Sequence, residues 1–291
     1  MLTFGDATID TMTDLDPFVL PVDLLFPGRS LEVLRAHAAM LSPHHVDFDA
    51  ETILLGVHSH LLRVNGLMIL IDTCIGEHKQ RPRRADWHQR QATGYLTPLA
   101  AAGLRPQDVD IVLCTHLHAD HVGWNTQLVD GRWVPTFPKA RYLIGRTEFD
   151  TWQAEEAKAP GHHNHGAFND SVLPVVEAGI AEWVDDGFEL GRNLSLMALP
   201  GHTTGQLGLC LCEGARKAFF CADAIHSPVQ VYQPDWASRF CSDPEIAIAT
   251  RRTLLDRVAG TDDLLIPAHL RQYSAMKIAR TPDGFAPDWV P

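Results

Sequence analysis

The chain has 291 residues, of which 45% are hydrophobic and 21% charged, with 21 glycines and 19 prolines. That is long enough to bury a core unaided and too apolar for a disordered chain, and no run reaches the ~18 apolar residues of a membrane-spanning helix. A formal charge of −12 argues against nucleic acid or an anionic membrane as partner, while 16 histidines point to metal or proton chemistry.

Residues 1–50 are rich in proline and acidic groups and weakly periodic; they are expected to form an N-terminal arm, packed on the core or on a partner copy in a homodimer, ahead of a main domain at 51–291. The acidic N-terminus lacks the basic and apolar regions of a signal peptide, so a cytoplasmic location is expected. The apolar runs 53–64 and 67–72 flank Asn65-Gly66, a strong hairpin signal because both residues tolerate positive φ. A short helix is predicted over 95–104, a buried strand over 110–115, another over 140–145, and a helix capped by Thr147 that carries Phe149 and Trp152. Strands follow at 194–200, 208–212 and 217–223, the last two separated by a Glu213-Gly214 turn. A helix from Pro244 to about Ala259, with Asp243 as N-cap and Gly260 past its end, precedes a final strand at 263–269. This order predicts α/β layering. The six cysteines show no CxxC spacing and sit mostly in apolar runs, as small buried hydrophobes in a reducing compartment do.

The predicted strands end repeatedly in ligand-type residues: Asp72, Thr115-His116, Gly201-His202, Asp223 and His269. The segment Thr115-His116-Leu117-His118-Ala119-Asp120-His121 follows a buried strand directly. In extended chain, residues two apart point the same way, so His116 and His118 can converge on one ion, with Asp120 and His121 reaching a second point nearby. Imidazole and carboxylate together suit zinc and similar first-row metals.

The His-x-His-x-Asp-His string, followed by Gly201-His202, the strand-end Asp223 and the late His269, resembles the metallo-β-lactamase superfamily over about residues 53–270. That resemblance implies an αββα sandwich with an N-terminal extension, its site at one edge of the paired sheets. Carried over, it implies that His116, His118 and His202 bind one metal, that Asp120, His121 and His269 bind the other, and that Asp223 bridges both. Asp72 matches a carboxylate that supports the ligands from behind. His118 stands where a diiron flavoprotein branch carries Glu, which favours hydrolysis over redox chemistry. Asp223 stands where the best-known lactamases use Cys; Cys221, two residues before it, would share its side on an extended strand. The segments 71–82 and 115–125 are similar to the acyl-homoserine lactonase and methyl parathion hydrolase group.

The implied cofactor is a pair of Zn²⁺ ions, with Mn²⁺, Co²⁺ or Fe²⁺ also accepted by such ligands. A metal-bridging hydroxide is then expected to attack a lactone or carboxylic ester carbonyl of a small-molecule substrate. Asp120 and Asp223 are the expected catalytic carboxylates, Asp120 orienting the nucleophile. The alternatives are phosphotriester hydrolysis by the same centre, or a mononuclear iron oxidoreductase acting on sulfur. Trp124, Phe149, Trp152, Phe168 and Trp236 are either pocket walls or packing aromatics. His162, His163 and His165 are either proton donors or a solvated loop, and His226 can line the site. His58 and His60 share one strand face, as packing or ligand-supporting residues. The basic stretch of Lys79, Arg81, Arg83, Arg84 and Arg90 reads as a solvated loop, or as a guide for anionic substrates.

Overall fold

A computed structural model describes residues 1–290, which divide into two compact units. One comprises Met1–Leu15 and Val57–Asp185; the other comprises Asp16–Gly56 and the residues from Asp186 on. The class is the expected mixed α/β, with helices flanking sheets.

In the first unit, the part of the strand Thr52–Val64 from Val57 on turns at Asn65 (φ 55°) and Gly66 (φ 77°) into Leu67–Ile71, with Leu61 opposite Leu70. Two consecutive positive φ values give the tight turn whose twist matches paired strands. From Leu67–Ile71 the sheet continues with three parallel strands, Ile111–Cys114, Arg141–Gly145 and Ala181–Val184. Parallel strands are covered on both faces, which is why Ile111–Cys114 is buried at every position. The helices Thr97–Ala101 and Arg146–Lys158 fall in two of the crossovers between these parallel strands. Thr147 does not cap the second helix: the strand ending at Gly145 runs straight into it, so Thr147 already lies in its first turn and its carbonyl accepts from Thr151 Oγ1 (2.7 Å).

In the second unit, four antiparallel strands, Glu189–Gly191, Leu194–Ala198, Leu207–Glu213 and Arg216–Ala222, are followed by a parallel pairing of Arg216–Ala222 with Leu264–Pro267. Ala275–Thr281 and Gly284–Val290 complete this sheet. The parallel pairing needs a crossover, and the helix Pro244–Val258 supplies it. Asp243 caps it, accepting from the amides of Glu245 (3.1 Å) and Ile246 (3.0 Å), and Gly260 lies beyond its end at φ 78°. Its apolar face, Leu254, Leu255 and Val258, packs on Phe219, Leu265, Met276 and Ile278 of the sheet.

Residues 1–50, expected as an arm, contribute the antiparallel strands Leu2–Phe4 and Ala7–Pro21. Ala7, Ile9, Met12 and Asp14 face inward along the second strand and residues of both units lie within this segment.

Candidate functional site

In the first unit, ligand-type residues sit just past the carboxyl ends of two parallel strands, where open α/β sheets bind their ligands. Asp72 follows Leu67–Ile71 and adopts a left-handed φ of 58°. Its carboxylate accepts from the Thr115 amide (2.8 Å), Thr115 Oγ1 (2.8 Å) and His121 Nδ1 (2.9 Å). Because a carboxylate only accepts, His121 carries its proton on Nδ1, which leaves Nε2 as the nitrogen able to ligate a metal. The same logic runs one step further. Thr115 Oγ1 donates to Asp72 and therefore accepts from His116 Nδ1 (3.1 Å), so that His116 also presents Nε2. That atom lies 3.1 Å from His118 Nδ1, and Asp120 Oδ2 lies 3.9 Å from His121 Nε2. The loop stays in place because residues 121–124 run along 73–75. The Thr73 amide donates to the His121 carbonyl, the Gly123 amide to Cys74 and the Trp124 amide to Thr73, each at 2.7 Å. A Cβ on Gly123 would stand 1.8 Å from the Ile75 oxygen, so only glycine permits this approach.

In the second unit, three imidazoles surround one carboxylate. Asp223 Oδ2 lies 3.3 Å from His202 Nε2, and Oδ1 lies 3.3 Å from His269 Nε2. His269 Nδ1 donates to the Gly56 carbonyl (2.8 Å), which again leaves Nε2 facing the carboxylate. His202 leaves a tight approach at Gly201, where a Cβ would stand 2.2 Å from the Ala247 amide at the start of the long helix. His226 Nε2 lies 3.4 Å from Asp223 Oδ2, and His202, Asp223 and His226 form a buried group of potential metal ligands. The residues match first-row divalent ions in donor type, burial and imidazole orientation.

Cys221 does not share the side of Asp223. The pairing register shifts between Phe220 and Ala222, Ala222 takes a φ of 46°, and the alternation of an extended strand is broken. Cys221 is buried among Phe219, Leu255 and Leu265, and burial pushes its thiol up. All six cysteines are free thiols.

The basic stretch is a solvated loop only in part: Arg83 is exposed, but other members are not. Lys79 and Arg81 are fully buried, Arg81 making a two-pronged ion pair with Asp170 (2.7 and 2.8 Å), and Arg90 pairs with buried Asp14 (2.8 Å). Burial lowers Lys79 to about 7 against the opposing pull of Asp170. Most of the aromatic candidates are packing residues: Trp124 stacks on Tyr95 (5.1 Å), Phe149 packs on Phe168 and Trp183, and Trp236 on Phe26. Trp152 reaches the ligand loop, with its ring edge-on to His118 at 5.5 Å and its Nε1 donating to Glu148 (2.7 Å). His58 and His60 are buried with ring centroids 5.1 Å apart. Sequence reasoning missed Glu148 and Asn164, both bonded to the backbone of the ligand loop; isolated polar residues in a helix and a turn carry no motif that would single them out.

The metallo-beta-lactamase superfamily model matches residues 52–269, and the chain belongs to that superfamily, and with it to the metallo-hydrolases. Among curated proteins, it is 24% identical over 258 residues to the N-acyl homoserine lactonase AiiB of Agrobacterium fabrum (strain C58 / ATCC 33970), covering 82% of each chain. Among solved structures, it resembles the hydrolase AbOPH of the beta lactamase superfamily, with a TM-score of 0.80 and 21% identity over 100% of this chain and 96% of that one. It also resembles AidC, a dizinc quorum-quenching lactonase, with a TM-score of 0.75, 21% identity and the same coverage.

Proposed function

We propose that this protein is a dinuclear metal-dependent hydrolase that opens lactones or cleaves carboxylic esters. His116, His118, Asp120, His121, His202, Asp223 and His269 are its proposed ligands, as the family resemblance implies. The observation that carries this reading is the arrangement at Asp223, whose two oxygens each face a different imidazole, Oδ2 toward His202 and Oδ1 toward His269. A carboxylate so placed can give one oxygen to each of two cations. The AiiB and AidC likenesses support the lactone as substrate class.

A pair of divalent ions, when bound, supplies an activated water at neutral pH, lowering its pKa to about 7, and polarises the substrate carbonyl. The chain's own residues do the rest. Asp72 holds His121 in one tautomer and, through Thr115, orients His116. Asp120 is the proposed proton carrier: it is half-buried on the ligand loop and so reaches both the buried interior and solvent. Zinc is the proposed native metal, from the imidazole and carboxylate donor set.

The test is hydrolysis of N-acyl homoserine lactones, aryl esters, phosphotriesters and a cephalosporin by protein of measured metal content, with His118→Ala as control. Turnover of lactones or esters that requires about two metals per chain and vanishes in the control is expected. Turnover confined to phosphotriesters, or one iron per chain, would overturn the reading.

A further inference from the structure

We propose that Asn164 is a positioning residue for the His116–His121 loop, with the buried Arg81–Asp170 ion pair as its brace. The inference rests on the reading that this loop ligates a metal. Past the strand ending at Cys114, the backbone at Leu117 and Ala119 no longer has a neighbouring strand to pair with. Two side chains replace it. Glu148 Oε1 accepts from the Leu117 amide (3.0 Å). Asn164 does the rest with a single carboxamide: its Nδ2 donates to the Leu117 carbonyl and its Oδ1 accepts from the Ala119 amide (2.9 Å). The residue bracketed by these two bonds is His118. A carboxamide presents a donor and an acceptor on one short plane, so it can bond an amide and a carbonyl two residues apart as a paired strand would.

The backbone that presents Asn164 is itself unusual. Asn164 (φ 46°) and His165 (φ 54°) are consecutive left-handed residues, and such strain persists where the surroundings over-determine it. Arg81 donates to the His165 carbonyl (3.0 Å) while gripping both oxygens of Asp170, and Arg83 donates to the His162 carbonyl (2.5 Å). Lys79 Nζ, buried over the Trp133 ring, donates to Thr126 Oγ1 (2.6 Å) and to the Asp170 carbonyl (3.0 Å). Asp170 lies in a π-helical turn, Phe168–Val172, a form that tends to occur at functional sites. A fully buried guanidinium is thus committed to fixing one surface turn, with Lys79 holding the carbonyl of the Asp170 that pairs with it, and that turn's polar side chain ends on the backbone either side of a proposed ligand. This accounts for the burial of Lys79 and Arg81, which the hydrolytic reading alone leaves without a role.

The experiment compares wild type, Asn164→Ala, the isosteric Asn164→Asp, and Asn169→Ala. Asn169 lies in the same segment but bonds Glu156, away from the ligand loop. Zinc and cobalt affinities are measured by chelator competition, and the visible spectrum of the cobalt form is recorded. Asn164→Ala is expected to weaken metal binding tenfold to a hundredfold, as loss of groups behind metal ligands does, and to alter the cobalt spectrum. Asn164→Asp, which turns an oxygen toward the Leu117 carbonyl, is expected to fall with Asn164→Ala, while Asn169→Ala matches wild type. In parallel, hydrogen exchange on the wild type is expected to show the Ala119 amide protected despite its place in a loop. Wild-type affinity in both Asn164 variants, equal weakening in Asn169→Ala, or rapid exchange at Ala119 would overturn the proposal. A wild type that binds metal but turns over no lactone or ester would sink the hydrolase reading alone, whereas one with no metal affinity would sink both.

Discussion

The ligand loop of the first unit and the trio around Asp223 in the second hold their side chains by different means. The loop places four ligand-type residues within His116–His121, and the surrounding chain supplies side chains that satisfy its backbone and fix its imidazoles: Asp72, Thr115, Glu148 and Asn164. In the second unit, His202, Asp223 and His269 come from three separate strand ends, and what aims them is backbone: the close approach at Gly201, the left-handed Ala222, and the Gly56 carbonyl behind His269. A contiguous motif leaves regular structure all at once, so its polar backbone must be bonded by side chains from elsewhere. Ligands dispersed over strand ends inherit their backbone bonding from the sheet and need only local turns to aim them.

The sharpest way to break this contrast is Asp223→Ala. It removes the group on which three imidazoles converge, whereas removal of one residue from the loop leaves several ligands in place. A ligand's share of the roughly 10–16 kcal/mol by which four ligands bind zinc is about 3 kcal/mol, so an ordinary loop variant should lose about a hundredfold in metal affinity. Asp223→Ala should lose more, with no detectable turnover; metal titration followed by activity measurement decides it. Chelation comes next. With metal at a hundredfold over its dissociation constant, its removal costs about 2.7 kcal/mol, or a Tm lower by about 4 °C in a chain of this size. Equal melting temperatures with and without chelator would show that neither region depends on metal for its order. Asp72→Asn probes the loop's side-chain scaffold specifically: by releasing the His121 tautomer it is expected to weaken metal binding tenfold to a hundredfold, read by chelator competition.

Two further effects belong to the second unit alone. His45 is buried against the Trp289 ring (5.0 Å), and burial, with electrostatic contributions from nearby His44 and Arg271, lowers it to about 3. The unfolded chain therefore binds a proton near 6.5 that the folded chain refuses until about 3. The stability present above pH 6.5 falls across this window by up to ~1.4 kcal/mol per pH unit. Neither ring nitrogen has a hydrogen-bond partner among the described residues, so His45→Phe should fold and show a flatter acid limb in denaturant titrations between pH 6 and 4. Ala222→Gly should relieve the left-handed backbone before Asp223, raising stability by about 1 kcal/mol at most, measured by denaturant midpoint. A loss of stability there would mean that Ala222's side chain contributes more than its strain costs.

The regular elements with plain periodicity were legible from the sequence. The Asn65-Gly66 hairpin, the strand at 111–114, and the Asp243-capped helix all rest on residues within a few positions of each other. The strand Ala7–Pro21 was not read as one because its inward positions slip out of strict alternation at Asp10-Thr11, between Ile9 and Met12, and its length exceeds a typical strand. The Cys221 orientation was misjudged because alternation assumes an unbroken register, and the shift at Phe220–Ala222 depends on pairing with Leu264–Pro267, more than 40 positions away. The basic stretch was read as solvated because Asp170, which buries Lys79 and Arg81, lies about 90 positions later.

The sequence by itself determined which residues offer themselves as ligands and which strands end in them, since both are short-range properties: a donor type, a two-residue spacing, an apolar run that stops. Tertiary structure decided what stands behind each ligand. That Asp72 sets a tautomer, that Asn164 takes the place of a strand, and that a buried ion pair braces it follow from partners distant in the chain, and a hydrogen bond or an ion pair depends on distance in space, which no spacing along the sequence encodes.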